Sequence, residues 1–254
     1  MERVPRAVNL QGWHGLTFLH WSYPPAVVQA LLPPDLRVET AQGRAWVGVT
    51  PFEMRDVRLP GLPPVPHLSS FPEVNCRTYV RHPNGTSGIW FFSLDTPRLW
   101  IIAALRALGL PYAWARAEVN VTHRPPVHRV TYRSRRVLPH GPAELRAVVD
   151  VGARVHLPDP LTVFLTARYW AFTRRAGRLW QVPVDHRDWP LHEARAVVVD
   201  GDSLLTAAGL PAPDDPPLVH FSPGVDTRLG PPRPSGRQCL PCPSGTVTTT
   251  FPIA

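Results

Sequence analysis

The segment FPEVNCRTYV, residues 71–80, carries three side chains whose spacing could support proton transfer and anion binding. Apolar and polar residues alternate along it, which predicts a β-strand with two different faces. Glu73, Asn75 and Arg77 then share one face, because residues two apart point to the same side of a strand. That face could be exposed to solvent, with an ion pair on it, or it could line a cavity, and the residues alone leave both open.

Burial would decide what the Glu73 carboxyl group can do. In a desolvated cavity its pKa would rise, unless Arg77 held the carboxylate ionised. Either state could act as an acid, a base or a clamp for a carboxylic acid substrate. The strand therefore needs other elements opposite it before it can form a site.

Arginine supplies all 27 basic residues, and the chain contains no lysine. Schiff-base catalysis, a lysine-anchored pyridoxal phosphate and a P-loop lysine are therefore excluded. The sequence also lacks the GxSxG, GxGxxG, HExxH and DxDxDG motifs. We expect no cofactor, and arginine is left as the residue for binding carboxylates.

A net charge of +8 raises the possibility of a nucleic-acid partner. The arginines are scattered along the chain and form no basic helix or RNA-binding signature, so we expect no nucleic-acid binding. No apolar run is long enough to span a membrane, and the N-terminal residues do not resemble a secretory signal. Three cysteines are too few for a disulfide framework, which favours a reducing, cytoplasmic location.

Two groups of side chains have spacings that resemble metal ligands: His123 with His128, and Asp185-His186 with His192-Glu193. Barrel folds can bind zinc or iron through residues on separate strands, so these groups deserve testing. Unpaired histidines on strands and loops are more often surface residues. We therefore predict no metal site.

The alternation and turn signals predict about nine strands and two or three helices in the 254-residue chain. Strands are expected at 16–23, 43–54, 71–80, 87–94, 127–137, 143–153, the end of 161–175, 178–186 and 193–200. Helices are expected at 24–34, 95–112 and 203–210, and a proline-rich loop at 59–70. Most of the strands are joined by hairpins, which indicates a mainly β, α+β fold with an antiparallel barrel or sandwich and a few flanking helices.

The helix at 95–112 has the clearest boundaries. Asp95 or Thr96 could cap its start, and Gly109 with Pro111 would stop it. We predict one domain over 1–230. After it, 231–254 is rich in Pro, Gly, Ser and Thr, which is typical of a disordered or loosely packed tail. The tail contains Cys239 and Cys242 as CLPC, a zinc-pair or redox spacing with no second pair.

Three segments resemble the YqjF-like (DUF2071) family: LTFLHWSYPP…CRTYV at 16–80, GIWFFSLDTPRLWIIAALRALGLPY at 88–112, and PLVHFSPGVDTRLGPP at 217–232. The resemblance covers about residues 10 to 232. That family is in turn similar to the acetoacetate decarboxylase superfamily. The resemblance implies an antiparallel barrel or cone with an interior pocket.

The decarboxylase pattern contains a strand glutamate, an aspartate that opens a helix, and a GFPKK turn whose first lysine forms the Schiff base. In this chain the resemblance places Glu73 and Asp95 at the two acidic positions and Tyr112 at the Schiff-base position. The lysine is thus replaced by a phenol, which removes the covalent step. The fold and the pocket can be carried over, but the reaction cannot.

The resemblance implies that the polar face of residues 71–80 lines the pocket and that Tyr112 approaches it. We assign Glu73 and Tyr112 as candidate catalytic residues. Candidate ligand-binding residues are Asn75, Arg77, His20, Trp90 and Arg116. His20 and Trp21 are neighbours on one strand, so only one of them can point inward, and we favour His20.

Such a pocket would suit a small organic acid or carbonyl compound as ligand. One hypothesis is a lysine-independent lyase, isomerase or hydrolase that acts near a carbonyl group. The alternative is a non-catalytic binding protein that lost the Schiff-base lysine, and a third is a structural role with a filled core. Exposed sheet edges and the apolar fraction of 44% are compatible with a homo-oligomer.

Overall fold

The protein is built around one large sheet that curls into a ring. A computed structural model describes residues 4–124, 127–139 and 141–236, and within these ranges there are fourteen strands and four helices. The strands are β1 Asn9–Tyr23, β2 Arg37–Val38, β3 Thr40–Ala41, β4 Arg44–Arg58, β5 Phe71–Arg81, β6 Ser87–Thr96, β7 Tyr112–Arg124, β8 Val127–Leu138, β9 Glu144–Arg154, β10 Trp170–Arg175, β11 Arg178–His186, β12 His192–Asp200, β13 Leu218–Leu229 and β14 Arg233–Pro234. The helices are α1 Pro25–Gln29, α2 Leu99–Arg106, α3 Pro160–Thr166 and α4 Asp202–Ala207.

The strand order explains the closed shape. It runs β14-β11-β10-β6-β7-β8-β9-β12-β13-β1-β4-β5-β2, with β3 beside β4. Two additional pairings, β11 with β13 and β5 with β6, bring distant parts of this path together and close it into a ring. The pairings of β6 with β7 and with β10 are parallel. The fold is therefore mainly β with flanking helices, as predicted, but the sheet is mixed and is not a simple antiparallel barrel.

Short turns set the register of the hairpins that the sequence predicted. Gly85, in the Asn84-Gly85 turn between β5 and β6, has a φ of +88°. Ala176 and Gly177 both have positive φ values, 48° and 74°, where β10 turns into β11. A residue without a Cβ fits this left-handed conformation best. The hairpin of β8 with β9 and the proline-rich loop at 59–70 are also confirmed.

Two long strands, β7 and β13, were not predicted from the alternation. β13 contains Pro223 and Gly224, which are depleted in strand interiors. Gly224 has a φ of +133°, and an added Cβ would lie 2.2 Å from the backbone oxygen of Trp13 on β1. The irregularity thus allows β13 to pass close to its neighbour.

The predicted start of the second helix is wrong. α2 begins at Leu99, and its N-cap residue, Arg98, makes no side-chain capping bond. Asp95 lies within β6, fully buried, and it accepts hydrogen bonds from Arg136 on β8 at 2.9 and 2.7 Å. A buried carboxylate without a charged partner costs more free energy than a helix loses without a side-chain cap. Asp95 therefore stays in the strand, beside Arg136. Gly109, with a φ of +84°, follows the helix as predicted.

The two main hydrophobic clusters lie on different sides of the ring. One of them joins α1 and α4 to the central strands through Val28, Leu204 and Leu205. The other borders a cavity and includes Phe52 and Tyr112. Part of the core therefore forms the wall of this cavity.

The sheet extends beyond the predicted domain end at residue 230. β14, within the predicted tail, pairs with β11 through two exposed residues. Cys239 and Cys242 lie outside the described residues. No helix in the described part of the chain has the length and apolarity needed to cross a membrane.

The buried ion pair of Arg136 with Asp95 gives a stability prediction. Arg136→Met leaves the Asp95 carboxylate buried without its partner, so we expect it to lower the free energy of unfolding by about 3 kcal/mol. Arg135→Met is the matched control, because Arg135 pairs with Glu144 at an exposed site. The control should lose less than about 1 kcal/mol. Urea unfolding measures both, and equal losses would contradict the prediction.

Candidate functional site

A cavity of about 400 Å³ lies inside the ring. Residues from β1, β4, β5, β6, β10, β11 and α2 line it. Most of its wall is apolar, and its aromatic members include Trp13, Phe52, Phe71, Phe91, Trp180 and Trp189. The cavity therefore favours a ligand with a substantial hydrocarbon part.

The polar part of the wall is a row of side chains on β5. Glu73, Asn75 and Arg77 all line the cavity and are all buried. Thr50, which pairs with Asn75 across β4 and β5, adds a hydroxyl group to the row. The Thr50 hydroxyl and the Asn75 Oδ1 have no hydrogen-bond partner among the described residues. Both atoms are buried, and the described residues leave their hydrogen-bonding capacity unused.

Glu73 and Tyr112 form a hydrogen-bonded pair at one end of this row. The Tyr112 hydroxyl donates to Glu73 Oε2 at 3.1 Å. Burial raises the pKa of Glu73 to about 8, with a further upward contribution from Asp95, while the Tyr112 hydrogen bond opposes the shift. Burial and the adjacent Glu73 raise the pKa of Tyr112 well above its ordinary value. At neutral pH both groups therefore carry protons.

Arg77 stands at the other end of the row without an acidic partner among the described residues. Its Nε and Nη2 atoms are buried and make no hydrogen bond in the described part of the chain. The guanidinium carbon lies 5.6 Å from the centre of the Phe18 ring. Arg77 forms no ion pair with Glu73, so the alternative in which it keeps Glu73 ionised is wrong. The guanidinium also contacts the Tyr79 hydroxyl, but no carboxylate in the described part of the chain compensates its charge.

His20 points inward, but it is not among the residues that line the cavity. Its Nε2 lies 2.6 Å from the Tyr79 hydroxyl, which in turn donates to the Leu165 carbonyl oxygen at 2.6 Å. The single Tyr79 proton is thus used, so His20 Nε2 must be the donor in the first bond. Burial and the nearby Arg77 lower the pKa of His20 well below its ordinary value. Neutral His20 supports Tyr79 and does not meet the ligand directly.

Gly48 provides the space for this contact. It lies opposite Arg77 on β4, and an added Cβ would be 3.0 Å from the His20 ring and 3.5 Å from the Tyr79 hydroxyl. A side chain at Gly48 would therefore push His20 away from Tyr79.

The predicted wall positions of Trp90 and Arg116 are wrong. Neighbouring residues on a strand point to opposite faces, and on β6 the inward face belongs to Ile89 and Phe91. Trp90 instead packs with a separate cluster on the other face. Arg116 is exposed, because it lies four residues beyond Tyr112 on β7, where that strand no longer borders the cavity.

The sequence did not place Arg168 and His186 in the cavity, although it singled out His186 as part of a possible metal-binding group. Arg168, just after α3, stacks on Phe164 with the guanidinium carbon 4.3 Å from the ring centre, and it pairs with Glu39 at 3.3 Å. His186, at the end of β11, is mostly buried, and burial lowers its pKa. Only long-range pairing brings these segments to β5, so no local pattern could have identified them. No group of three or more metal-binding side chains occurs in the described ranges.

A family model and a known protein are similar to this chain over most of its length. The DUF2071 family model, described as an uncharacterized conserved protein, matches residues 10–226. The chain belongs to the DUF2071 family. It is 32% identical over 225 residues to the protein YqjF of Bacillus subtilis (strain 168), with 87% of this chain and 90% of that protein covered.

Solved structures extend the likeness of this DUF2071 protein to the acetoacetate decarboxylase-like fold. An acetoacetate decarboxylase-like enzyme from Sphingomonas wittichii RW1 aligns with a TM-score of 0.63 and 16% identity over 92% of this chain and 94% of that one. The enduracididine biosynthesis enzyme MppR, complexed with pyruvate, aligns with a TM-score of 0.62 and 13% identity over 91% and 90%. The acetoacetate decarboxylase of Legionella pneumophila aligns with a TM-score of 0.63 and 15% identity, over 92% of this chain and 92% of that one. At these identities the likeness shows the fold.

The raised pKa of Glu73 predicts how stability depends on pH. The folded protein binds this proton more tightly than the unfolded chain, whose carboxyl has an ordinary pKa of 4.5. Titration of Glu73 therefore lowers the free energy of unfolding of the wild type as the pH rises from about 4.5 to about 8. Between pH 5 and pH 7 we expect the free energy of unfolding of Glu73→Gln, relative to that of the wild type, to rise by about 2.5 kcal/mol. The slope is roughly 1.4 kcal/mol per pH unit.

Urea unfolding at several pH values measures this difference. The exposed Glu118, changed to Gln in the same way, is the control. A Glu73→Gln gain that does not vary between pH 5 and pH 7 would show that the buried carboxyl titrates like an exposed one.

Proposed function

We propose that the protein binds a small organic acid that contains a carbonyl group and that it acts on this carbonyl without a lysine. Arg77 would bind the carboxylate, and the Glu73–Tyr112 pair would meet the carbonyl oxygen. The observation that carries the proposal is the buried Arg77 guanidinium, which faces an apolar cavity without an acidic partner among the described residues.

The energetic argument is based on desolvation. A buried charge without a partner costs several kcal/mol, so proteins rarely keep one unless it has a use. A carboxylate can accept two parallel hydrogen bonds from a guanidinium, and the free Nε and Nη2 of Arg77 have this geometry. An organic anion in the cavity would therefore supply the missing partner.

The Glu73–Tyr112 pair supports a proton-transfer role. The Tyr112 hydroxyl donates to Glu73 Oε2, so it orients the carboxyl group and leaves the acidic proton of Glu73 for a ligand. A neutral carboxylic acid in an apolar site can donate this proton to a carbonyl oxygen as negative charge develops there. The reaction would be that of a lyase, an isomerase or a hydrolase, with the Glu73 carboxylate taking the proton back when the oxygen loses it.

The related structures support a ligand of this class. MppR was solved in complex with pyruvate, an oxo acid. The phenol of Tyr112 stands where the resemblance places the Schiff-base lysine, so the covalent chemistry of the decarboxylase does not apply. This substitution equally favours the second candidate function, a binding protein that holds the acid without converting it.

Arg77→Met tests the anion site. We expect the variant to bind levulinate, hexanoate and octanoate at least tenfold more weakly than the wild type, because the buried charge–charge hydrogen bonds are lost. Trp13 and Trp189 line the cavity, so intrinsic fluorescence and calorimetry can both measure binding. Arg116→Met, at an exposed position, is the matched control and should not change the affinity. Equal affinities for wild type and Arg77→Met would overturn the proposed anion site.

Glu73→Gln tests catalysis. With any oxo acid that the wild type converts in a screen, we expect the turnover number to fall by about 10²–10⁴ while the acid still binds, because glutamine cannot transfer the proton. Rates and binding are measured on the same folded preparation. Unchanged turnover would remove Glu73 from the mechanism, and tight binding without conversion by the wild type would favour the binding-protein function.

A further inference from the structure

The cavity has two poles, one with a proton donor and one with a cation, and they lie far apart. From this separation we infer that the preferred ligand is a monocarboxylic acid whose ketone or aldehyde group is separated from the carboxylate by at least three carbon atoms. The inference rests on the proposed function and adds the length and the charge of the ligand to it.

The separation follows from β5. Glu73 and Arg77 are four residues apart on one strand, and four residues of β-strand extend over about 13 Å. The guanidinium of Arg77 leans towards Phe18, with 5.6 Å from its carbon to the ring centre. Its charge affects the pKa of His20 and of Tyr79, whereas the influences on Glu73 are burial, Tyr112 and Asp95. The two poles are therefore electrostatically separate.

The separation sets the length of the ligand. We take the Cα spacing of about 13 Å as the span between the two polar groups. A hydrogen bond of about 3 Å at each pole then leaves about 7 Å between the polar oxygens of the ligand. The two carbon–oxygen bonds at the ends of the ligand take up part of this distance. The carbon chain between them, when extended, advances about 3.5 Å for every three bonds. About four bonds must then join the carboxyl carbon to the carbonyl carbon. Pyruvate, whose two carbonyl groups are adjacent, cannot reach both poles at once.

The wall between the poles fits a hydrocarbon chain. Phe52 and Phe91 border this part of the cavity, and the polar contribution there comes from Asn75 and Thr50. A volume of about 400 Å³ corresponds to roughly 13 water molecules at about 30 Å³ each. An acid with six non-hydrogen atoms, such as pyruvate, would leave a large part of the cavity without contacts. A longer chain would fill it and bury more apolar surface.

The cation pole fits a single carboxylate. Arg168 also lines the cavity, but Glu39 pairs with it at 3.3 Å, so its charge already has a partner. Burial lowers the pKa of His186, which keeps this ring neutral. Arg175 also lines the cavity but is exposed to solvent, so Arg77 is the buried cavity-lining guanidinium that lacks an acidic partner in the described chain. One anionic group compensates it, and a second would be buried without a partner.

A series of methyl-ketone acids tests the inference, with the ketone on the next-to-last carbon in each: pyruvate, levulinate, oxohexanoate and oxooctanoate. We expect binding to tighten about fourfold for each added methylene group, since each one is buried. Oxooctanoate should also bind several-fold more tightly than octanoate, because its ketone accepts a hydrogen bond. Titration calorimetry on the wild-type protein measures every affinity.

Two variants assign the contacts. Arg77→Met should weaken all of the acids, and this result reports on the anion site itself. Glu73→Leu/Tyr112→Phe removes the donors of the proton pole, so it should abolish the advantage of oxooctanoate over octanoate. Circular dichroism and urea unfolding check that both variants fold.

The outcomes separate the two proposals. If pyruvate binds through Arg77 as tightly as oxooctanoate does, the inferred length is overturned while the anion site stands. An advantage of oxooctanoate that persists in the double variant also overturns it, since the ketone then lies elsewhere. If no acid depends on Arg77, the proposed function fails, and the inference fails with it.

Discussion

The burial of Arg77 without an acidic partner is the constraint on which the rest of the site depends. Water would solvate a guanidinium at low cost, but only 7% of the Arg77 surface is exposed. The large apolar clusters on both sides of the ring must offset this cost. In the proposed function, apolar walls and one cation without a partner would make the cavity select ligands by charge first and by shape second. A neutral compound would leave the cation unpaired, and a polar one would lose contact with the walls.

Two carboxyl groups on adjacent strands show how the fold assigns different states to similar side chains. Asp95 on β6 receives two hydrogen bonds from Arg136 and forms an ion pair. Glu73 on β5 has the Tyr112 hydroxyl instead of a cation, and burial keeps it protonated at neutral pH. Two neighbouring environments thus hold one acid in an ion pair and leave the other without a cation in the described part of the chain.

Local patterns were sufficient to predict the polar row of β5 and the hairpins, because alternation and turn residues act over a few positions. The proximity of Glu73 and Tyr112 followed from the family resemblance, since these residues are far apart in the sequence. Arg116 shows the limit of alternation, which gives the face of a strand but not where a cavity ends. Arg168 and His186 reach the cavity only through closure of the ring, and no short pattern encodes that closure.

The ring closure has a kinetic consequence. β1 pairs along most of its length with β13, about two hundred positions further along the chain, so the cavity is completed only when the two ends of the described chain meet. Contacts between residues so distant in sequence incur a large loop entropy before they contribute stability, and they slow folding. During synthesis on the ribosome, the first strands must therefore wait, with apolar surface uncovered, until the last long strand has emerged.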